Sequence, residues 1–440
     1  MSSRVVRLVA AWRLGLSRPV LILQAGNALN YFGYGLVLPF EIIYLHQMRG
    51  FAPSTAGLVL AATMGTAAAV TPPTGALLDR YSAKGIVVAG SVASTIGYAG
   101  FAYVERPWQA FAFSIVSGAG IGAAGTANRT LVVSLVTLEQ RAAAFALNRV
   151  AGNLGIGAGA TIAGFVVASA ERLSTFQALY LFDAVTYAGF AIVVLAAVPR
   201  PPAVPVTETP TNGTGYRAVA RDRTFVAVIA ANLVLVIAGH TFFSNILPPF
   251  AKVHTPLGPA AIGTIVLLNT SFIVIAQIPA VHVVARMRRT HGFAATGALF
   301  AIALLGVLPA EHTRSKFAAI SILAAVAIFF AIGECAHILV LGPLVADMAP
   351  PHLLGRYLSL YSLTFSVSLA LGPAIGGFLL QTSPDAIWWG GALAVALAGT
   401  VLLRLGDRIP DPLRQPSPRA AEPETVPASY RAARSCEQTS

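Results

Sequence analysis

Long apolar runs fill this chain, broken only by short polar stretches. Positions 87–104, 225–237, 293–308 and 317–333 carry no charged residue. Apolar residues in these runs occupy every face of a helix rather than one stripe, as expected where lipid lies on one side and protein on the other. A helix crossing a bilayer takes about 20 apolar residues, and its backbone must satisfy its own hydrogen bonds. The pattern therefore predicts twelve spans, at 19–45, 56–78, 86–104, 108–134, 143–170, 175–198, 224–249, 259–285, 292–310, 317–346, 358–381 and 386–405.

Composition strengthens this reading. Of 440 residues, 56% are hydrophobic and 10% charged, whereas a soluble domain carries about a quarter charged. The net charge of +12 would suit a nucleic-acid surface, but its distribution argues for topology instead. With the N-terminus inside, 21 of the 29 Lys and Arg residues fall on the cytoplasmic side. Arg49, Arg106, Arg172, Lys252, Arg314 and Lys316 fall outside, and Arg129 and Arg149 lie within spans. That asymmetry is the positive-inside rule, and it places both termini in the cytoplasm. The first apolar run is too long for a secretory signal and reads as an uncleaved helix. Cys335 in span ten and Cys436 in the tail lie too far apart in topology for a structural disulfide. The strong preference for arginine over lysine points to a GC-rich bacterial genome and so to the cytoplasmic membrane.

Residues 199–223 turn to Pro, Thr, Asn, Gly and Arg, a composition that cannot bury itself. This predicts a six-helix half at 1–198, a cytoplasmic linker at 199–223, a second six-helix half at 224–405 and a disordered tail at 406–440. The halves echo each other. Span five carries Gly155, Gly159, Gly164 and Phe165; span eleven carries Gly372, Pro373, Gly376, Gly377 and Phe378 in the corresponding place. Small residues let helix backbones approach closely in a membrane, and a parallel six-plus-six repeat is a known transporter plan.

Three motifs follow. After span two come Gly75, Asp79, Arg80 and Lys84. Span four holds Gly118, Gly120, Gly122 and Gly125, which as GxGxxG would suggest a dinucleotide site; that requires a soluble strand and helix, which a membrane span excludes. Span five reads Asn153-Leu-Gly155-Ile-Gly-Ala-Gly159. Together these resemble the loop signature, glycine-rich fourth helix and antiporter signature of the major facilitator superfamily, over roughly residues 19–405. Gly333-Glu334, Val345-Ala-Asp347 and Gly355-Arg356-Tyr357 look like a bacterial drug-efflux subgroup. The sequence departs from the pattern at Ser82 and Ala160, where the family has glycine and proline. The fourth helix also lacks a mid-helix basic residue, Arg129 lying deeper toward the cytoplasm. The second half's matching loop has Arg286, Arg288 and Arg289 but no acid.

The resemblance implies an all-α fold of two six-helix bundles, with helices one, four, seven and ten lining a central cavity. It implies a cytoplasmic gate formed by Gly75, Asp79, Arg80, Lys84 and Arg141. Each of the four cavity helices carries an ionisable residue, namely Glu41, Arg129, His240 and Glu334. Ionisable groups in a bilayer are costly and mark function by default. Gln24, Asn27, Tyr31, Tyr34 and Glu41 form a polar stripe on helix one, facing either the cavity or hydrogen bonds between helices. Glu334, with His337 one turn on, is the leading proton-coupling candidate, against a structural ion pair; Asp183 and Glu41 are further candidates. His240, Asn269 and Gln277 are cavity candidates. No metal-ligand cluster, nucleophile–base motif or phosphate loop is present, so no cofactor is expected. The expected partners are a small amphipathic or hydrophobic solute, protons and the bilayer, with the chain working as a monomer. The leading function is proton-driven efflux. The alternatives are a proton-symport importer of the same fold and, from another class, a membrane-embedded receptor or enzyme.

Overall fold

A computed structural model of the chain describes residues 15–169, 172–199, 215–284, 287–382 and 384–405. The predicted tail at 406–440, linker residues 200–214 and Arg286 lie outside the described residues. The described chain folds as a series of long helices. They are α1 (Arg18–Met48), α2 (Pro53–Leu78), α3 (Ala83–Phe101), α4 (Pro107–Ser134), α5 (Arg141–Ser169) and α6 (Leu173–Ala197). After the short helix Tyr216–Arg221 come α7 (Arg223–His254), α8 (Pro259–Val284), α9 (Arg289–Leu305), α10 (Lys316–Met348), α11 (Leu354–Thr382) and α12 (Pro384–Leu405).

Nine of these helices, among the described residues, are long and apolar enough to cross a membrane. The others are α3, α11 and α12. In α3, Gly90, Ser91, Ser94 and Gly97 replace bulkier apolar residues where it packs on α4. In α11, Ser359, Ser362, Thr364 and Ser368 occupy buried positions. Outward-facing side chains are large and apolar, with Phe317 81% and Phe165 75% exposed. A surface of that kind is stable against hydrocarbon and not against water.

Helix starts follow local chemistry. The Gln109 side chain accepts from the Glu105 and Arg106 N–H groups at 2.8 and 2.9 Å, holding the first turn of α4. Asp222 accepts from the Phe225 N–H at 3.0 Å and starts α7, and Ser315 does the same for α10 through the Ala318 N–H. These side chains satisfy amides that have no partner within the helix.

The packing is a repeat. In the first six helices α1 packs on α5 and α6, α2 on α4, and α3 on α4 and α6. In the second six, α7 packs on α11 and α12, α8 on α10, and α9 on α10 and α12. The two sets meet through α2 with α11, α5 with α8 and α10, and α4 with α11. Glycine permits the closest approach. A Cβ on Gly155 would meet the Ala28 carbonyl, and one on Gly159 would meet the Phe32 carbonyl, so α5 lies backbone to backbone on α1. Gly372 and Gly376 instead make room for side chains of α7, those of Thr241 and Ile246. Gly164 differs from expectation: a Cβ there would meet nothing within 4 Å, because five residues beyond Gly159 the helix presents another face than the one lying on α1. Pro373 and Gly377 lie on α11.

Candidate functional site

The site grows from the helices where the two sets face each other. On α5, Arg149 lies two turns beyond Arg141. On α10, Glu334 is 3% exposed, and its carboxylate is ion-paired with the Arg149 guanidinium across the interface. His240 of α7 places Nε2 3.8 Å from the same carboxylate. His240 sits in a π-helical stretch, Leu235–Ile246, whose wider turn redirects side chains and recurs at functional sites. The His240 ring meets Phe300 and Phe330 edge-on and lies 5.9 Å from the His337 ring. His337 Nε2 is 2.8 Å from Asn232 Oδ1, and Asn232 donates to Thr364 Oγ1 at 2.6 Å. A polar chain thus links α10, α7 and α11 beside an ion pair that joins the two sets.

A cavity of about 170 Å³ opens at this junction. Tyr31, Arg129, Phe145, Asn148, Arg149, Asn153, Ile338, Tyr361 and Phe365 are among the residues lining it. The Arg129 guanidinium lies 5.2 Å from the Tyr361 ring centre and 5.4 Å from that of Phe365. These are cation–π contacts between the two helix sets.

The polar stripe of α1 divides. Tyr31 lines the cavity. Gln24 is 2% exposed and accepts from Asn148 Nδ2 at 3.1 Å, so it supports a cavity residue from behind. Asn27 is buried. Tyr34 and Glu41 are only partly buried and lie outside that wall. Asp183 is fully buried on α6, where it receives the Thr186 hydroxyl at 3.3 Å. It lies within the first set, near the stacked rings of Tyr98 and Tyr187. Asn269 donates to the Ala327 carbonyl at 3.1 Å in the α8–α10 contact, and Gln277 is fully buried. Helical periodicity gave these side chains a face but could not say which neighbour that face meets.

At the end of the bundle where α2 and α11 meet, the expected gating residues take distinct positions. Asp79 pairs with Arg356 at 2.7 Å and accepts from the Gly355 N–H at 2.9 Å. Burial pushes the Asp79 carboxyl up to about 6, outweighing the pull of Arg356. Gly75 leaves room for Ser359 and the Tyr216 hydroxyl. Tyr216 donates to the Pro72 carbonyl, and its hydroxyl lies 2.9 Å from Ser359 Oγ. Arg141 is ion-paired with Asp347, which also accepts from Arg289 Nη2 at 2.5 Å. The second loop, which has no acid of its own, therefore borrows one from the end of α10. Lys84 donates to the Leu195 and Val198 carbonyls at 2.9 and 2.6 Å, capping α6 within its own set. Arg80 is exposed. Ser82 starts α3 at φ −61°, a backbone that any residue adopts, so glycine is not needed there.

Sequence reasoning left Arg149 and Asp347 without a role, and Tyr361, Phe365 and Tyr216 unremarked. A basic residue within span five and an acid within span ten were both visible. Only the fold shows that they meet.

Two matching helical sets around an ion-paired cavity define a membrane transporter. The chain belongs to the Major Facilitator Superfamily, whose description matches residues 23–255 and 229–435; it is a multi-pass membrane transporter and not an enzyme. It is 22% identical over 363 residues to the uncharacterised MFS-type transporter YqjV of Bacillus subtilis, covering 81% of this chain and 85% of that one. It is 24% identical over 366 residues to the multidrug resistance protein MdtH of Klebsiella pneumoniae, covering 82% and 86%. A bacterial homologue of the iron transporter ferroportin, crystallised facing outward, superposes with a TM-score of 0.73 at 15% identity, covering 89% of this chain and all of that one.

Proposed function

We propose that this protein exports a small amphipathic compound in exchange for protons, by alternating access between two six-helix halves. In this reading all twelve helices cross the cytoplasmic membrane, both termini are cytoplasmic, and residues 199–223 link halves at 1–198 and 224–405. The protein acts as a monomer.

The observation that carries the coupling is the Arg149–Glu334 pair, which joins the halves beside the cavity. A proton arriving from outside neutralises Glu334, releases Arg149 and loosens the contact between α5 and α10. Removing one partner of a buried pair is costly, so protonation shifts the balance between the two ends of the cycle. The relative named a multidrug resistance protein favours export. Asp79–Arg356 and Arg141–Asp347 hold the cytoplasmic end shut when the cavity faces outward.

A second reading, uptake by proton symport, is favoured by one observation. Glu334's partner is a cation, so a proton on Glu334 leaves Arg149 free to take an anionic solute along with it.

The test is transport in proteoliposomes with and without an imposed pH gradient. Glu334→Gln is expected to abolish gradient-driven accumulation while sparing solute exchange, which needs no net proton movement. The sign of the gradient that drives accumulation separates export from uptake. Full gradient-driven transport in Glu334→Gln would refute coupling through this residue.

A further inference from the structure

The charges at the cavity do not balance. Arg149 is matched by Glu334. Arg129 has no ion-pair partner among the described residues, and no carboxylate lines the cavity wall among them. Its guanidinium rests against the faces of Tyr361 and Phe365, and its Nη1 is buried without a hydrogen-bond acceptor. An aromatic face attracts a cation but cannot accept the in-plane hydrogen bonds of a guanidinium, and an unfilled buried donor is costly.

We propose that the acceptor is supplied by the solute, and that the cavity is a binding site for small amphipathic organic anions. The anionic oxygens sit on Arg129, and the apolar body lies against Tyr31, Phe145, Tyr361 and Phe365. A planar guanidinium matches a carboxylate or sulfonate in a paired geometry that a point charge does not offer. Asn148 and Asn153 lie in the same wall and can donate to a second oxygen. Rocking of the halves closes the cavity around whatever it holds. An anion makes the Arg129 end neutral as water leaves, whereas a cationic solute would add like charge in a low dielectric. The proposal rests on the transporter reading above, but the anion sits on Arg129 whichever way the protons run.

The experiment uses the purified full chain in nanodiscs and three probes of one shape: 2-naphthoate, 2-naphthylmethanol and 2-naphthylmethylammonium. Binding is measured by titration calorimetry and by the rise in melting temperature. Naphthoate is expected to bind at least about tenfold tighter than the other two. Arg129→Gln should bring naphthoate to the level of the alcohol, while Arg129→Lys should keep part of the preference and so show that the fold is intact. Equal binding of the three probes, or naphthoate affinity unchanged in Arg129→Gln, would overturn the site. If naphthoate binding depends on Arg129 while Glu334→Gln keeps full gradient-driven transport, the coupling reading fails and this site stands. If Glu334→Gln abolishes that transport while the three probes bind alike, the site fails and the coupling reading stands.

Discussion

Arg149 and Glu334 depend on each other, and each would be a liability alone. The carboxylate is 3% exposed, while the guanidinium keeps 32% of its surface open to the cavity. Truncating one partner of a fully buried pair costs about 3–5 kcal/mol, whereas replacing both with neutral groups is often near neutral. Because Arg149 stays partly solvated, Glu334→Gln should cost less, about 1–3 kcal/mol. The double variant Arg149→Gln/Glu334→Gln should recover most of the lost melting temperature without recovering coupled transport. Thermal unfolding of the single and double variants in the same detergent checks this. A double variant less stable than either single would show that the pair matters through packing rather than charge.

At the scale of elements, the contact between the end of α2 and the start of α11 is the part of the fold most exposed to pH. Asp79 titrates near 6 in the closed contact, against an ordinary value of 3.8, because burial outweighs Arg356. Opening the contact returns the carboxylate to water. The closed form therefore holds the proton more tightly, and a fall in pH from about 7 toward 5 favours closure. From about pH 7 upward that preference is gone, since both forms are then ionised. Spin labels on Tyr81 and His352, both exposed on either side of the contact, should show a growing short-distance population as pH falls. The dependence should flatten in Asp79→Asn. A short-distance population that shrinks on acidification would reverse the sign and leave Arg356 in control. Tyr216, bridging Pro72 and Ser359 from the segment between the two sets, adds a neutral tie to the same contact.

For the whole molecule, the proposed orientation puts both termini and the Asp79–Arg356 end on the cytoplasmic side. In a background with Cys335 and Cys436 replaced, a cysteine at Ala420 should resist membrane-impermeant reagents in intact cells. One at Thr313, in the turn before α10, should react. Robust external labelling at Ala420 would invert the molecule and make the Asp79–Arg356 contact an outer gate. The orientation rests on the 21-to-6 division of basic residues, a bias set at insertion rather than by packing.

The sequence alone determined the helical class, the close positions of the long helices and the family. Hydrocarbon demands apolar side chains on every face, and closed backbone bonding leaves little choice of element. It also singled out Glu334, since an acid in an apolar run is conspicuous wherever it lies. What it could not contain was the pairing of distant residues. Arg149 and Glu334 are 185 positions apart, and Asp79 and Arg356 are 277 apart; the spacing that places a residue on a helix face says nothing about the helix opposite. The same limit applied to three polar residues: Gln24 meets Asn148 of α5 from behind the cavity wall, Asn269 meets α10, and Asp183 bonds Thr186 one turn on in its own helix. Only the tertiary structure decided that one cavity arginine is neutralised and the other is not, because charge balance is a property of the groups that meet in space.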